Sequence, residues 1–222
     1  MSQIRVIGKN VVKSKMKAFA NQKYTLDEYF ELERSSEEKW EFWDGNVWSM
    51  SGASFAHEDI VANLLFTLRK ILPKGCRASG SDVKVKVPVY LPYRYPDLTI
   101  VCGKRESEMM GGLEVLLNPQ VIIEVLSPST ESFDRGDKFT YYKSIPSLKE
   151  YLLIATRRPH ITQFVKHAEN EWINRDIVGA DSRLTLSTFG VELLTSDVYL
   201  DVIFPELEIP DSELERVPEN ER

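Results

Sequence analysis

The chain has 222 residues, 42% of them hydrophobic, and a net charge of −6, which is length and apolar content for one domain with a sizeable core. No apolar run nears the ~20 residues of a membrane-spanning helix, and the lysine-bearing N-terminal stretch lacks an apolar core of about 7–15 residues, so neither a membrane span nor a secretory signal is expected. Two cysteines, Cys76 and Cys102, make no disulfide framework and no CxxC motif. They are expected to pack as small hydrophobes in a reducing cytoplasm, with no zinc site.

Charge is uneven along the chain. Residues 1–23 carry six Lys/Arg and no acid, whereas 205–222 carry seven Asp/Glu and two Arg. Three segments follow: a basic N-terminal extension (1–23), a compact domain (24–204) and an acidic C-terminal tail (205–222). The middle segment keeps a net charge near −7, unlike the basic footprint of a dedicated DNA-binding domain, although an enzyme needs only a local positive groove.

Thr25 and Glu28 form a capping box at the start of the helix "TLDEYFELER", which ends near Ser35. "WEFWDGNVWSM" reads as a hairpin turning at Asp44-Gly45. Ile60, Val61, Leu64, Leu65, Leu68, Ile71 and Leu72 then fall on one helical stripe, terminated by Pro73 and Gly75. Val83, Val85, Val87 and Val89 alternate with Lys84, Lys86 and Pro88, as in a half-exposed strand with a basic outer face. "YPDLTIVCG" and "QVIIEVL" are further strands, the second apolar on both faces except at Glu124. Asp134 is expected to cap the helix "RGDKFTYYKSI", which Pro146 ends; "EYLLIAT", "HITQFVK" and "EWINRDIV" add strands. This order predicts an α/β or α+β fold with a mixed sheet.

Two acids stand out. A Glu inside Val-Ile-Ile-Glu-Val-Leu costs several kcal/mol to bury unless it is paired or bound to a cation. Asp97, after Pro96, opens the neighbouring apolar run at a strand mouth. On adjacent strands the two acids could share a Mg²⁺ ion, which accepts hard oxygen ligands and keeps water on its other positions. The competing reading of Glu124 is a buried ion pair with Arg or Lys, and that of Asp97 an ordinary turn. Lys138, fourteen residues after Glu124, would sit against the helix dipole and either face solvent or assist a metal-bound water beside a phosphate. Glu41 alternates with Trp40 and Phe42 and could point to solvent or to the site. His57, at the start of the strong helix, either caps it or meets a phosphate. No phosphate-binding glycine loop, serine nucleophile elbow or HExxH motif is present.

The segments "YPDLTIVCG", "VIIEVLSPST" and "DRGDKFTYYKSIPSLKEYLLI", in this order, with the earlier "EFWDGNVWSMSGASFAHEDIVANLL", resemble the Uma-type restriction endonuclease family of the PD-(D/E)XK nuclease superfamily, from about Tyr24 to Phe204. The resemblance implies a restriction-endonuclease-like core, a mixed β-sheet flanked by helices. It also implies a metal site on Asp97 and Glu124, with Glu41, the acid of the preceding hairpin, as a catalytic residue that supports a ligand or a second metal. The superfamily lysine two residues after the second acid is replaced by Leu126, which makes Lys138 the substitute on the next helix. His57 matches a histidine common in such proteins, and Tyr142, one turn beyond Lys138, is expected to line the cleft with it. The expected function is Mg²⁺-dependent (or Mn²⁺-dependent) hydrolysis of DNA by a homodimer, whose two sites suit two strands. The alternative is a module that kept the nuclease scaffold for nucleic-acid or protein binding without cleavage.

Overall fold

The computed structural model describes residues 23–50, 52–89, 93–128 and 130–205. The basic segment 1–22 and the acidic segment 206–222 lie outside the described residues.

Helix α1 (Leu26–Ser35) starts at the predicted capping box: Thr25 Oγ1 accepts from the Glu28 amide at 3.2 Å, and Glu28 Oε2 accepts from the Thr25 amide at 2.8 Å. Strands β1 (Lys39–Trp43) and β2 (Asn46–Met50) form the hairpin, with Asp44 at φ 47° and Gly45 at φ 74° in its turn. Two successive left-handed residues match the right-handed twist of the flanking strands. Helix α2 (Phe55–Ile71), capped by Ser54, buries Ile60, Leu64 and Leu68.

Seven strands follow: β3 (Cys76–Ser79), β4 (Lys84–Lys86), β5 (Tyr93–Arg94), β6 (Leu98–Cys102), β7 (Ser107–Met110), β8 (Leu113–Leu116) and β9 (Val121–Leu126). Helix α3 is composite, an α turn at Glu131–Phe133, a π turn at Asp134–Lys138 and another α turn at Phe139–Tyr142. Strands β10 (Glu150–Ala155), β11 (His160–Ala168), β12 (Glu171–Val178), β13 (Arg183–Leu186) and β14 (Val191–Leu194) lead to the short helix α4 (Thr195–Val198).

One six-stranded sheet has the order β12-β11-β10-β9-β6-β3, with β9 and β10 parallel and every other pair antiparallel. A second has the order β2-β1-β5-β4-β8-β7. In β9, Val121, Ile123 and Val125 face the cluster built by α2, while Ile122 and Leu126 face the one containing Phe139 and Tyr142 of α3. This central strand is thus covered on both sides, as its near-continuous apolar sequence requires. Period-two alternation puts Glu124 on the α3 side, beside Ile122 and Leu126.

Three local expectations fail. The strand expected over 83–89 is short, and Lys84 is only 2% exposed. Helix α1 covers that face, and Lys84 Nζ meets Glu33 Oε2 and Tyr29 Oη, each at 2.6 Å. Asp134 is not a cap: the helix begins at Glu131, so Asp134 is interior and buried and Lys138 lies well past the first turn. Cys76 and Cys102 are not separate small hydrophobes. Antiparallel pairing of β3 with β6 sets them directly opposite, and they form a disulfide.

That bond joins residues 26 apart in sequence, a loop whose closure is worth about 3.5 kcal/mol in a chain-entropy treatment. Reduction, or the double change Cys76→Ser/Cys102→Ser, is expected to lower unfolding free energy by about that amount in urea titrations. Superimposable oxidised and reduced curves would show that the two thiols are not joined in solution.

Candidate active site

The antiparallel register of β6 and β9 pairs Leu98 with Ile123 and Thr99 with Ile122. Continued by one residue, it sets Asp97 across from Glu124 on the α3-facing side. Asp97 Oδ2 accepts the Val125 amide at 2.7 Å, which fixes the carboxylate against β9. Both acids line a cleft of about 690 Å³, whose walls include Glu41, His57, Asp134 and Lys138. Glu37, Glu38 and Glu58 add further acids to its lining.

Glu124 is 3% exposed. Its Oε1 receives Lys138 Nζ at 2.8 Å and the Tyr142 hydroxyl at 2.9 Å. Burial pushes its carboxyl up, and Asp97 and Asp134 push it further; Lys138 opposes them only in part, leaving it at about 8. Lys138 also lies 3.1 Å from Asp134 Oδ1, so one ammonium serves two buried carboxylates. Burial alone would lower the Lys138 pKa, but Asp134, Glu124 and Glu41 outweigh it and hold the ammonium charged. The π turn of α3 carries this pair, a local widening of the helix that often marks functional positions.

Glu41, on β1, is 2% exposed. Its Oε2 pairs with Arg94 Nη1 at 2.6 Å, and its Oε1 accepts the Tyr95 amide at 3.0 Å. Burial raises its carboxyl, yet Arg94, Lys138 and the amide together bring it below the ordinary value. His57, in the first turn of α2, reaches Asp97 Oδ2 with Nε2 at 3.2 Å. Burial disfavours its charged form, but the hydrogen bond and charge of Asp97 reverse that and raise its pKa. Ser54, not His57, caps α2, accepting the His57 amide at 3.2 Å.

The structure therefore brings Glu41, His57, Asp97, Glu124 and Lys138 to one cleft. Tyr142 departs from its expected place: it is fully buried and supports Glu124 from within the core, not from the cleft wall. Two contributors were not foreseen. Asp134 carried a signal in its spacing of four from Lys138, the separation of an intrahelical ion pair. Arg94 carried none, since its sequence neighbours give no hint that it lies under the hairpin.

Among the described residues no three His, Cys, Asp or Glu side chains gather as a full ligand set. Two adjacent carboxylates still fit Mg²⁺, which usually binds through one or two and keeps several waters. The raised Glu124 carboxyl is the second sign of fit: burial, helped by the charges of Asp97 and Asp134, outweighs Lys138, and a bound cation would offset it.

Comparison with known proteins gives the fold and the family. A crystal structure from Anabaena variabilis, described as "a putative nuclease belonging to DUF820", superposes with a TM-score of 0.63 at 17% identity, covering 79% of this chain and 97% of that one. At that identity the match shows the fold, a mixed α/β architecture of the restriction-endonuclease-like type. The uncharacterized Synechocystis protein slr1290 is 31% identical over 183 residues, covering 82% of this chain and 94% of its own. A second, sll1609, is 30% identical over 168 residues, covering 73% and 92%. Residues 26–197 match the model of a family described as "Putative restriction endonuclease", and the chain belongs to that family, Uma2.

Proposed function

We propose that the chain is a Mg²⁺-dependent endonuclease that hydrolyses DNA phosphodiester bonds. One observation carries this reading: Asp97 and Glu124 stand on neighbouring strands at the floor of a cleft, beside a buried lysine that cannot neutralise both. Asp97 and Glu124 would hold the ion. When bound, Mg²⁺ supplies Lewis-acid polarisation of the phosphate and a water more acidic than bulk water.

The chain's own residues set the rest. Lys138 is a fixed ammonium at the cleft floor, held charged by Asp134 and Glu124, and it stabilises negative charge developing on a phosphate placed there. Tyr142 fixes the orientation of Glu124, and His57 and the Val125 amide fix that of Asp97. Because its Nε2 faces Asp97, His57 acts on that carboxylate more directly than on substrate. Two copies related by a two-fold axis would present one site to each strand of a duplex.

The second reading, a scaffold that binds without cleaving, draws on the acids of the cleft lining, Glu37, Glu38 and Glu58, which repel a polyanion. Metal dependence separates the two, since simple binding falls with salt and needs no Glu124.

With Mg²⁺ or Mn²⁺ the full chain is expected to nick plasmid DNA. Asp97→Ala and Glu124→Ala are expected to abolish nicking, and Lys138→Met to slow it by about 10²–10³. Unchanged rates in either carboxylate variant would reject the mechanism.

A pH dependence also follows for protein kept free of divalent ions with a chelator. The folded chain holds a Glu124 proton up to about pH 8, whereas the unfolded chain releases it near the ordinary value of 4.5. Native Glu124 therefore subtracts stability as pH rises through that interval, and the penalty is complete above about 8. Glu124→Gln, which mimics the protonated acid, is expected to gain stability over the parent as pH rises and to level off past that point. A gap between the two melting curves that ignores pH would show that Glu124 is ionised throughout.

A further inference from the structure

The cleft contains a third buried acid, Glu41, and its placement bears on how many metal ions the site takes. Arg94 is 1% exposed, and its hydrogen bond to a side chain among the described residues runs from Nη1 to Glu41 Oε2 at 2.6 Å. The Nε and Nη2 groups of Arg94 are buried without an acceptor. Around the guanidinium stand Phe133, Trp48 and Trp43, with ring centroids 5.1, 5.5 and 6.0 Å from Cζ. These rings favour a cation over their faces but offer no lone pair to replace a carboxylate. Losing Glu41 to another partner would strand a buried charge, which is strongly unfavourable.

Glu41 is equally committed. Arg94 occupies one of its oxygens and the Tyr95 amide the other. A dication drawn onto Glu41 would have to approach a guanidinium already 2.6 Å away. The other buried carboxylates of the cleft floor are placed differently: Asp97 and Glu124 stand across from each other on β6 and β9, and Lys138 holds Asp134 together with Glu124.

We propose that Arg94 is the site's built-in second cation, which takes Glu41 out of the ligand set so that the cleft holds one divalent ion, on Asp97 and Glu124. The proposal rests on the metal site described under Proposed function and deepens it. Arg94 is thereby a positioning residue: it acts through Glu41 and does not touch substrate.

The test is Mn²⁺ titration of the full chain, with free ion read by electron paramagnetic resonance, which needs no turnover. One ion per chain is expected. Glu41→Gln is expected to keep that stoichiometry with affinity changed by less than about 3-fold, whereas Asp97→Asn or Glu124→Gln should weaken it by at least about 100-fold. The charge-neutral pair Glu41→Gln/Arg94→Met gives the same readout should the single variant fail to fold with Arg94 buried and unpaired. Two ions in the parent, or loss of the ion in both Glu41 variants, would overturn the proposal while leaving a metal site in place. No ion in the parent would remove the metal site itself, and the proposal with it.

Discussion

The structure turns on a shortage of positive charge behind β9. Glu124 sits in a strand that is apolar on both faces and buried by a helix on each side, and its close cation, Lys138, is shared with Asp134. A buried carboxylate without full compensation costs several kcal/mol in any fold selected for stability alone. Its place beside Asp97 in an open cleft is the feature on which the proposed cation site rests. The surroundings act to maintain the charge imbalance: Tyr142 and the π turn hold Glu124 and Lys138 in place from the core, and Arg94 removes Glu41 from competition.

Much of the fold was legible because its signals are local or periodic. The Thr25/Glu28 capping box, the Asp44-Gly45 turn, the stripe of α2 and the two-sided apolarity of β9 each encode their element within a few residues, and each appears where expected. Glu124 was legible for the same reason, since a charge inside an apolar run is conspicuous, whereas alternation left the side of Glu41 open. What failed depended on tertiary partners. Lys84 looks solvent-facing by alternation, but α1 lays Glu33 over it. Cys76 and Cys102 look unpaired by count, but strand register sets them face to face. Asp134 reads as a helix cap because Asp favours that position, yet the helix starts earlier and makes it the partner of Lys138. Arg94 is the clearest case: nothing in its sequence neighbourhood shows that a hairpin fifty residues earlier supplies both its counter-ion and two of its aromatic walls.

Membership of Uma2 gives the family, and the likeness to the Anabaena variabilis structure gives the fold. Family and fold alone do not fix chemistry. Here the site adds geometry of its own: Lys138, on the helix that follows β9, lies 2.8 Å from Glu124. Among the described residues no helix is long and apolar enough to cross a membrane.

The most direct test is crystallographic: crystals of the full chain soaked in Mn²⁺ and measured at the manganese absorption edge. A single anomalous peak between the Asp97 and Glu124 carboxylates, with Glu41 still on Arg94, is the expected result. A cleft without a peak there, or a peak on other side chains, would show that Lys138 and a bound proton satisfy Glu124 by themselves and that the carboxylates serve no metal.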